Sequence, residues 1–399
     1  MNVLLEIILW SSVIAILHSY LLYPLILRIL AAGKHPPSEV FQEDAAFPVV
    51  SVIMSVFNEE AVIAEKVDSL LKLDYPAGKI HLFIGSDCSS DRTNDIVTAY
   101  AKKHPHLHFF PFTQRRGKPG VVNQLAAEAE ALTPRTTEHI FLVTDASVIL
   151  TPATLKHLTK HFKREEVIIV DAHMVHTGMK PEGISKAENQ YISSEVQLKY
   201  REGLVWGKMI GPFGGCYAIR SNYFTEVPPN YLVDDFYITM KVLEKGGHAI
   251  NDLDAVCYEA VSHEIREEYR RKSRISAGNF QNLFTFPHLW WPPFKVLNFA
   301  FFSHKVLRWF GPFFLLLILL TSGLLALQKF GLYSWLFVVL ALCIFVLPWL
   351  DLALKKLKVN ILPLRAVRYF ILMNIALLEG FFKFLKGVKS SVWEPPKRS

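Results

Sequence analysis

The sequence predicts an α/β domain, with a mostly parallel central sheet and flanking helices, combined with transmembrane helices. Three observations predict it. Between residues 48 and 262, short β-branched runs alternate with segments of helical periodicity, as in strands joined by helical crossovers. Long apolar stretches nearly free of charge lie on both sides of that region. With 51% hydrophobic residues, net charge +7 and mean hydropathy +0.25, the composition is too apolar for an ordinary soluble chain and too charged for one wholly embedded in lipid.

Residues 1–32 form the first expected transmembrane helix. From Val3 to Leu30 only Glu6 precedes Arg28, and the stretch is long enough for a hydrocarbon core of about 30 Å. It has neither a basic start nor a small-residue cleavage site, so it predicts an anchor and not a removed leader. Arg28 and Lys34 follow the helix and no basic residue precedes it, which sets the N-terminus outside and the chain that follows in the cytoplasm. Residues 33–47 are a Pro-containing linker. In the domain at 48–262, strands are expected at Pro48–Phe57, His81–Ser86, Leu107–Phe112 and His139–Thr144. Helices are expected at Glu59–Leu73, Asp91–Lys103 and Val121–Ala131, with a basic loop at Gln114–Gly120.

Residues 263–299 are a basic and aromatic interfacial region. Arg266, Arg270, Arg271, Lys272 and Arg274 predict either a helix resting on anionic head groups or, for Arg271 and Arg274, diphosphate contacts. Trp290, Trp291, Phe294, Phe301 and Trp309 carry few interleaved basic residues, so they predict an aromatic belt and not a stacking surface for nucleic acid. In the transmembrane region at 300–386, Phe310–Leu327 and Leu332–Leu350 are apolar enough to span. Ile361–Leu385 has the length, but Arg365, Arg368, Asn374 and Glu379 leave spanning and interfacial placement both open. Residues 387–399 form a basic tail.

Ligands of such sheets bind beyond the carboxyl ends of the strands. The first strand exits into Asn58, Glu59 and Glu60, the second into Ser86, Asp87, Cys88, Ser89, Ser90 and Asp91, and the fourth into Thr144, Asp145, Ala146 and Ser147. Asn58–Glu60 or Asp145 could each cap a helix and DCSSDRT could be a turn, which accounts for one polar residue at one end but not for three ends alike. Together they predict a cleft for a sugar, a base and a divalent cation. Further on, LVDDFYITM sets Asp234 and Asp235 before an apolar run. Adjacent acids favour a helix N-terminus, and equally a site where one raises the pKa of the other.

The four cysteines, Cys88, Cys216, Cys257 and Cys343, have no paired spacing and predict neither a disulfide framework nor a zinc site; each is expected as a small buried hydrophobe. His104, His106 and His108 alternate without an accompanying acid and are expected as exposed loop residues. His263, beside Glu264, is a weaker candidate for reaching a cation.

The segments SVIMSVFNEE, GSDCSSDRT, RRGKPGVVNQ, FLVTDASVIL, GPFGGCYAIRS, LVDDFYITMKVLEKGGHA and RRKSRISAGNFQ occur in the order and spacing of one family. From about Pro48 to Gln281 the chain resembles a family 2 glycosyltransferase of the membrane-anchored branch that includes polysaccharide synthases. The resemblance implies a GT-A type nucleotide-sugar-binding domain. It implies that Val56, Asn58, Glu59 and Asp87 hold the base, usually uracil, and that Lys118 approaches the nucleotide. Asp145 matches the first acid of the family's Asp-any-Asp motif, near the ribose, the diphosphate and a divalent cation, Mg2+ or Mn2+. Gly214 and Gly215 match an acceptor-pocket segment. Asp235 matches the general base, with Asp234 beside it.

Two positions depart from the family. Ser147 stands where a second acid is common, and a hydroxyl is a weaker partner for a hard cation. RKSRI aligns with the Gln-any-any-Arg-Trp segment of processive synthases and retains only Arg274, with Arg271 for Gln and Ile275 for Trp.

The expectation is an inverting, metal-dependent glycosyltransferase, held at a bacterial-type inner membrane with its catalytic domain cytoplasmic. It would move a sugar from a nucleotide diphosphate sugar, most simply a UDP-sugar, to a lipid-linked or growing glycan acceptor in cell-surface polysaccharide synthesis. The expected partners are the donor, the acceptor and membrane lipids, with no nucleic acid. Transfer of one sugar to a simple lipid (polyprenyl phosphate or diacylglycerol) and a non-catalytic nucleotide-binding subunit are the alternatives.

Overall fold

The computed structural model describes residues 2–36, 41, 43–136, 138–177, 185–260, 265–329, 331–357, 359 and 361–392, with the side chains of 185–192 and 265 left out. His263 and the basic residues beyond Val392 lie outside the described residues. The chain divides into two units, one of residues 1–30, 179–194 and 263–387, the other of 31–178, 195–262 and 388–399.

The second unit is built on eight strands: β1 (Val49–Val56), β2 (Ile80–Asp87), β3 (Leu107–Phe112), β4 (His139–Thr144), β5 (Val148–Leu150), β6 (Val167–Thr177), β7 (Cys216–Arg220) and β8 (His248–Ala260). They form one sheet in the order β3-β2-β1-β4-β7-β6-β8-β5. β3, β2, β1 and β4 are parallel, β7 enters antiparallel between β4 and β6, and β6 pairs parallel with β8. The near-continuous apolar runs of β1 and β4 follow from that position, because a central strand is covered on both faces. All six residues of β4 are buried. The register aligns the strand ends: Val56 is level with Ser86, Ile53 with Val143 and Thr144 with Cys216. The polar turns that follow therefore emerge on one rim.

The helices, in chain order, are α1 (Asn2–Leu30), α2 (Ile63–Leu71), α3 (Thr93–Ala101), α4 (Gly117–Leu132), α5 (Thr154–Thr159), α6 (Ser185–Trp206), α7 (Asp234–Glu244), α8 (Ile265–Thr285), α9 (Val296–Trp309), α10 (Gly311–Ala326), α11 (Leu332–Lys356) and α12 (Leu362–Leu385). Two ends differ from expectation. α2 begins at Ile63 and not Glu59, since Asn58 takes a left-handed φ of +51° that ends the strand in a turn. α4 begins at Gly117, which puts Lys118 in a first helical turn and not in a loop.

In the first unit α1 and α11 are long and apolar enough to cross a membrane. A third span is counted only if α9 and α10, which meet at a 62° bend, are taken as one. The expected straight span at 310–327 is thus the second half of a bent pair. In α1 and α9 the helices widen to π turns at His18–Leu22 and Phe302–Val306. Polar side chains meet there: His18 bonds the Ser303 hydroxyl at 2.9 Å, and Arg308 Nε donates to Ser19 Oγ at 3.3 Å. Interhelical pairing of this kind satisfies groups that lipid cannot.

α12 is one unbroken helix whose Arg365, Arg368 and Asn374 are buried, and Arg368 Nε lies 2.7 Å from Asp351 Oδ2 of α11. On α8 Ser276 donates to Leu377 O of α12 at 2.8 Å, and a Cβ on Gly380 would meet Ser273 O at 2.6 Å. The expected aromatic belt is divided: Trp291 and Phe294 are exposed, whereas Phe301 and Trp309 are buried among the helices.

Of the cysteines, Cys216 and Cys257 are buried, while Cys88 and Cys343 are half-buried and less enclosed than the sequence suggested. His104, His106 and His108 are half-buried and not exposed, and His108 stacks on Phe83 with ring centres 4.8 Å apart. That stacking accounts for one of the three without a metal.

Candidate active site

The first two strand ends are tied to one another. Ser90 N donates to Asn58 Oδ1 at 2.8 Å, Glu59 N to Thr93 Oγ1 at 2.9 Å, Glu60 N to Asp91 Oδ2 at 3.0 Å and Arg92 N to Glu60 Oε2 at 3.1 Å. Asn58, Glu59 and Glu60 thus bind the neighbouring turn, and Glu59 O also accepts Val62 N at 3.0 Å and Ile63 N at 2.9 Å, which leads the backbone into α2. Asp91 does act as a local cap, accepting Thr93 N at 3.0 Å. Val56 is buried, so its side chain belongs to the core and only its backbone reaches the rim.

Asp87 leaves β2 buried and accepts three donors from the basic loop: Arg116 N at 2.6 Å, Gly117 N at 3.1 Å and Arg115 Nε at 3.1 Å. The Arg115 guanidinium lies 3.3 Å over the Phe57 ring, a stacked cation and ring at the end of β1. This clamp aims the first turn of α4, from which Lys118 Nζ reaches Asp145 Oδ1 at 2.7 Å. Asp145 is followed by strand β5 and not by a helix, so the N-cap alternative fails. Its turn is fixed by Asp145 N donating to Gly215 O at 3.0 Å. Beneath it lies Lys66, fully buried on α2, which donates to Thr144 Oγ1 at 2.8 Å and to Val148 O at 2.5 Å. Burial pushes this ammonium down to about 8.

Asp234 and Asp235 open α7. Asp234 is buried, and among the described residues its Oδ2 has no hydrogen-bond partner. Asp235 is half-buried, and its carboxyl is pushed up to about 7, first by burial and then by the charge of Asp234, with Lys118 opposing. Burial works against the charge of Lys118, but Asp145, Asp234 and Asp235 together hold it protonated above its ordinary range. The loop from Met209 to Gly215 closes on the acids. Gly214 has φ +84°, and a Cβ there would overlap Asp235 Oδ2, so only glycine fits. On β7 Tyr217 is fully buried with no hydrogen-bond partner for its hydroxyl among the described residues. Burial, then the fields of Asp234 and Asp235, keep that phenol well above its usual range.

The chemistry of this donor set fits a hard cation. Three carboxylates face one ammonium, and Asp234 Oδ2 is a buried acceptor without a donor among the described residues. Ser147 donates its hydroxyl to Glu259 Oε1 of β8 at 3.2 Å, which brings a further carboxylate beside the turn. A separate trio, His157, Asp252 and Asp254, has ligand atoms within 4.8 Å of one another. There Asp252 takes His161 Nε2 at 2.6 Å and Lys160 Nζ at 2.8 Å, as Asp145 takes Lys118.

Sequence reasoning missed several groups of this site. Asp171 is fully buried in β6 and Lys199 almost so on α6; they pair at 2.9 Å. Glu202 of α6 accepts Ile210 N at 3.1 Å. The signal for Asp171 is an acid in the middle of the run VIIVDAHMV, and for Lys66 a lysine on the apolar face of α2, between Ile63 and Val67. Arg271 and Arg274 belong to the first unit, on α8, where Arg271 Nε holds Glu268 Oε2 at 3.0 Å.

Residues 51–227 match the model of glycosyl transferase family 2, and residues 140–350, more than half of the chain, match that of glycosyl transferase family group 2. The beta-monoglucosyldiacylglycerol synthase of Trichormus variabilis is 26% identical over 264 residues, 63% of this chain and 53% of that protein. The poly(ribitol-phosphate) beta-N-acetylglucosaminyltransferase TarS of Staphylococcus aureus is 34% identical over 76 residues, 19% of this chain and 13% of that one. The chain thus spans about half the length, or less, of these curated relatives. Among solved structures, the mannosyltransferase PcManGT of Pyrobaculum calidifontis, in complex with GDP-Man and Mn2+, superposes with a TM-score of 0.70 at 21% identity, covering 96% of this chain and 99% of that one, which shows the GT-A fold. On the extent of the family match, the chain belongs to the family 2 glycosyltransferases.

Proposed function

We propose that the chain is an inverting glycosyltransferase that moves one sugar from a nucleotide diphosphate sugar to an acceptor at a membrane surface. The observation that carries this reading is Asp235: a carboxyl raised to about 7, beside the Lys118–Asp145 pair, on a rim where three strands end. In the reaction the acceptor hydroxyl gives its proton to Asp235 as its oxygen bonds the anomeric carbon. The bond from that carbon to the diphosphate oxygen breaks, and its electron pair leaves with the diphosphate. A base titrating near 7 is about half ionised at neutral pH and strong enough to take that proton.

Asp87 acts by fixing the Arg115–Gly117 clamp, so that the end of β1, Asn58 and Glu59 form the base side of the cleft. Lys118 supplies positive charge to the diphosphate. Asp145, with Ser147 and Glu259 beside it, would hold a divalent cation, Mg2+ or Mn2+, which adds charge stabilisation to the leaving group when bound. The Mn2+ of the PcManGT complex supports that reading. Gly214 and Gly215 leave room at the base for the acceptor.

Two observations support a simple membrane lipid as acceptor over a growing glycan. Ile275 replaces the aromatic residue of processive enzymes, and the Trichormus relative is named for a glucosyldiacylglycerol product. The topology that goes with this reading is multi-pass at a bacterial-type inner membrane, with residues 48–262 cytoplasmic and Arg271 and Arg274 available to anionic groups at the surface. The test is product mass after incubating membranes with UDP-sugars and GDP-mannose in turn. A single hexose increment in the organic extract is expected. A ladder of increments would favour the glycan acceptor, and no nucleotide release from any donor would refute transfer.

A further inference from the structure

Asp171 lies in the middle of a covered strand, fully buried, and both of its oxygens face one loop amide. Phe213 N lies 3.1 Å from Oδ1 and 3.1 Å from Oδ2. Lys199 Nζ, 2% exposed, holds Oδ2 at 2.9 Å and also sits 4.7 Å over the Phe213 ring. Asn251 Nδ2 approaches the same oxygen at 3.3 Å. Three residues further along α6, Glu202 takes the amide of Ile210 at 3.1 Å. One helix therefore grips both ends of the segment Ile210–Phe213, and the next residue is Gly214, where a Cβ would collide with Asp235 Oδ2.

A buried ion pair is a poor way to gain stability, because desolvating two charges offsets their attraction and apolar residues of the same volume do as well or better. What it provides is a fixed geometry, since every donor and acceptor has one satisfying arrangement. Here that arrangement ends at the backbone that limits where the Asp235 carboxylate can stand.

We infer that the Lys199–Asp171 pair is a positioning device for the transfer: it fixes the Phe213–Gly214 backbone and, through it, the Asp235 carboxylate against the acceptor. The inference rests on Asp235 being the base, as proposed above. Neither residue is a catalytic residue, because neither touches the reacting atoms. Their effect falls on the step in which Asp235 takes its proton, and not on capture of the donor, which is held at the other strand ends. Misplacing a catalytic group by about 1 Å costs on the order of a hundredfold in rate.

The experiment uses the full chain in detergent with Lys199→Met, Asp171→Asn and the double variant. Amide exchange of peptides covering 209–215 is measured by mass spectrometry, and kcat and donor KM with the donor that the mass assay identifies. Lys199→Met leaves Asp171 buried without its cation. Loop exchange is expected to rise at least about tenfold while β4 and β7 stay protected, with kcat down at least about tenfold and donor KM within about twofold. The double variant restores neutrality while the side-chain carbonyl introduced by Asp171→Asn still accepts from Phe213 N, so it should recover part of the kcat; it also carries the test where Lys199→Met does not fold.

Unchanged loop exchange overturns the inference. So does a loosened loop with kcat within about twofold of the parent, or a loss that falls wholly on donor KM. A parent that transfers no sugar overturns the functional reading itself, and the inference falls with it.

Discussion

Replacing Asp235 by Asn should remove transfer and at the same time make the protein more stable above neutral pH. The carboxyl rises from 3.8 to about 7 in the folded chain. That is roughly three units, and at about 1.4 kcal/mol per unit it amounts to ~4 kcal/mol against the folded state when the group is ionised. Because Asp235 is half-buried and water screens part of its field, ~4 kcal/mol is an upper bound and about 2 a reasonable expectation. The sign follows from proton binding. Below the unfolded value near 3.8 both states hold the proton and no penalty exists. Between 3.8 and about 7 the unfolded chain ionises first and the penalty grows; above about 7 it is complete. Asn cannot ionise, so Asp235→Asn gains most at pH 8 and little near pH 4. Thermal unfolding in detergent at a series of pH values measures this, with UDP or GDP release recorded on the same samples. A midpoint no higher than the parent's at pH 8, or transfer within tenfold of the parent, would refute the reasoning.

Three further outcomes follow from the same geometry. The parent's kcat/KM should fall about tenfold per pH unit below an acid limb near 7, and Lys118→Met, which removes the cation opposing the rise of Asp235, should move that limb to higher pH as well as raise donor KM. Gly214→Ala, which needs φ +84° and a Cβ where Asp235 Oδ2 now stands, should lose at least about tenfold in kcat while the protein stays folded by thermal unfolding. In Mn2+ titrations followed by electron paramagnetic resonance, Asp145→Asn should weaken binding by about tenfold or more, and Glu259→Gln by less; equal affinity in Glu259→Gln would remove that carboxylate from the cation site.

The sheet was legible because its strands are covered on both faces: apolar runs such as VVSVIMSV and HIFLVT leave little choice of period or burial. The rim was legible because polar residues follow three such runs. Other features were hidden for physical reasons. Asp171 meets Lys199 across 28 residues and Phe213 across 42, and no local spacing encodes such pairings. The N-cap alternative for Asp145 was excluded only by a three-residue strand, β5, too short to leave a periodic signal. The 62° bend near Phe310 does leave a trace, Gly311–Pro312 at the break, with His304, Lys305 and Arg308 before it and the apolar run Phe313–Leu320 after it; the length and apolarity of 310–327 masked that signal. Ser147 read as a missing acid, whereas Glu259, more than a hundred residues later, stands beside it across the β5–β8 pairing.

The Asp351–Arg368 pair has a consequence for how the first unit is made. Asp351 of α11 and Arg368 of α12 are both buried, and a lone charge at the centre of hydrocarbon costs about 3 kcal/mol. Joined at 2.7 Å, the two charges cancel. The pair belongs to neither helix alone, so a chain lacking either partner leaves the other charge to be held by water or turned out of the helix packing.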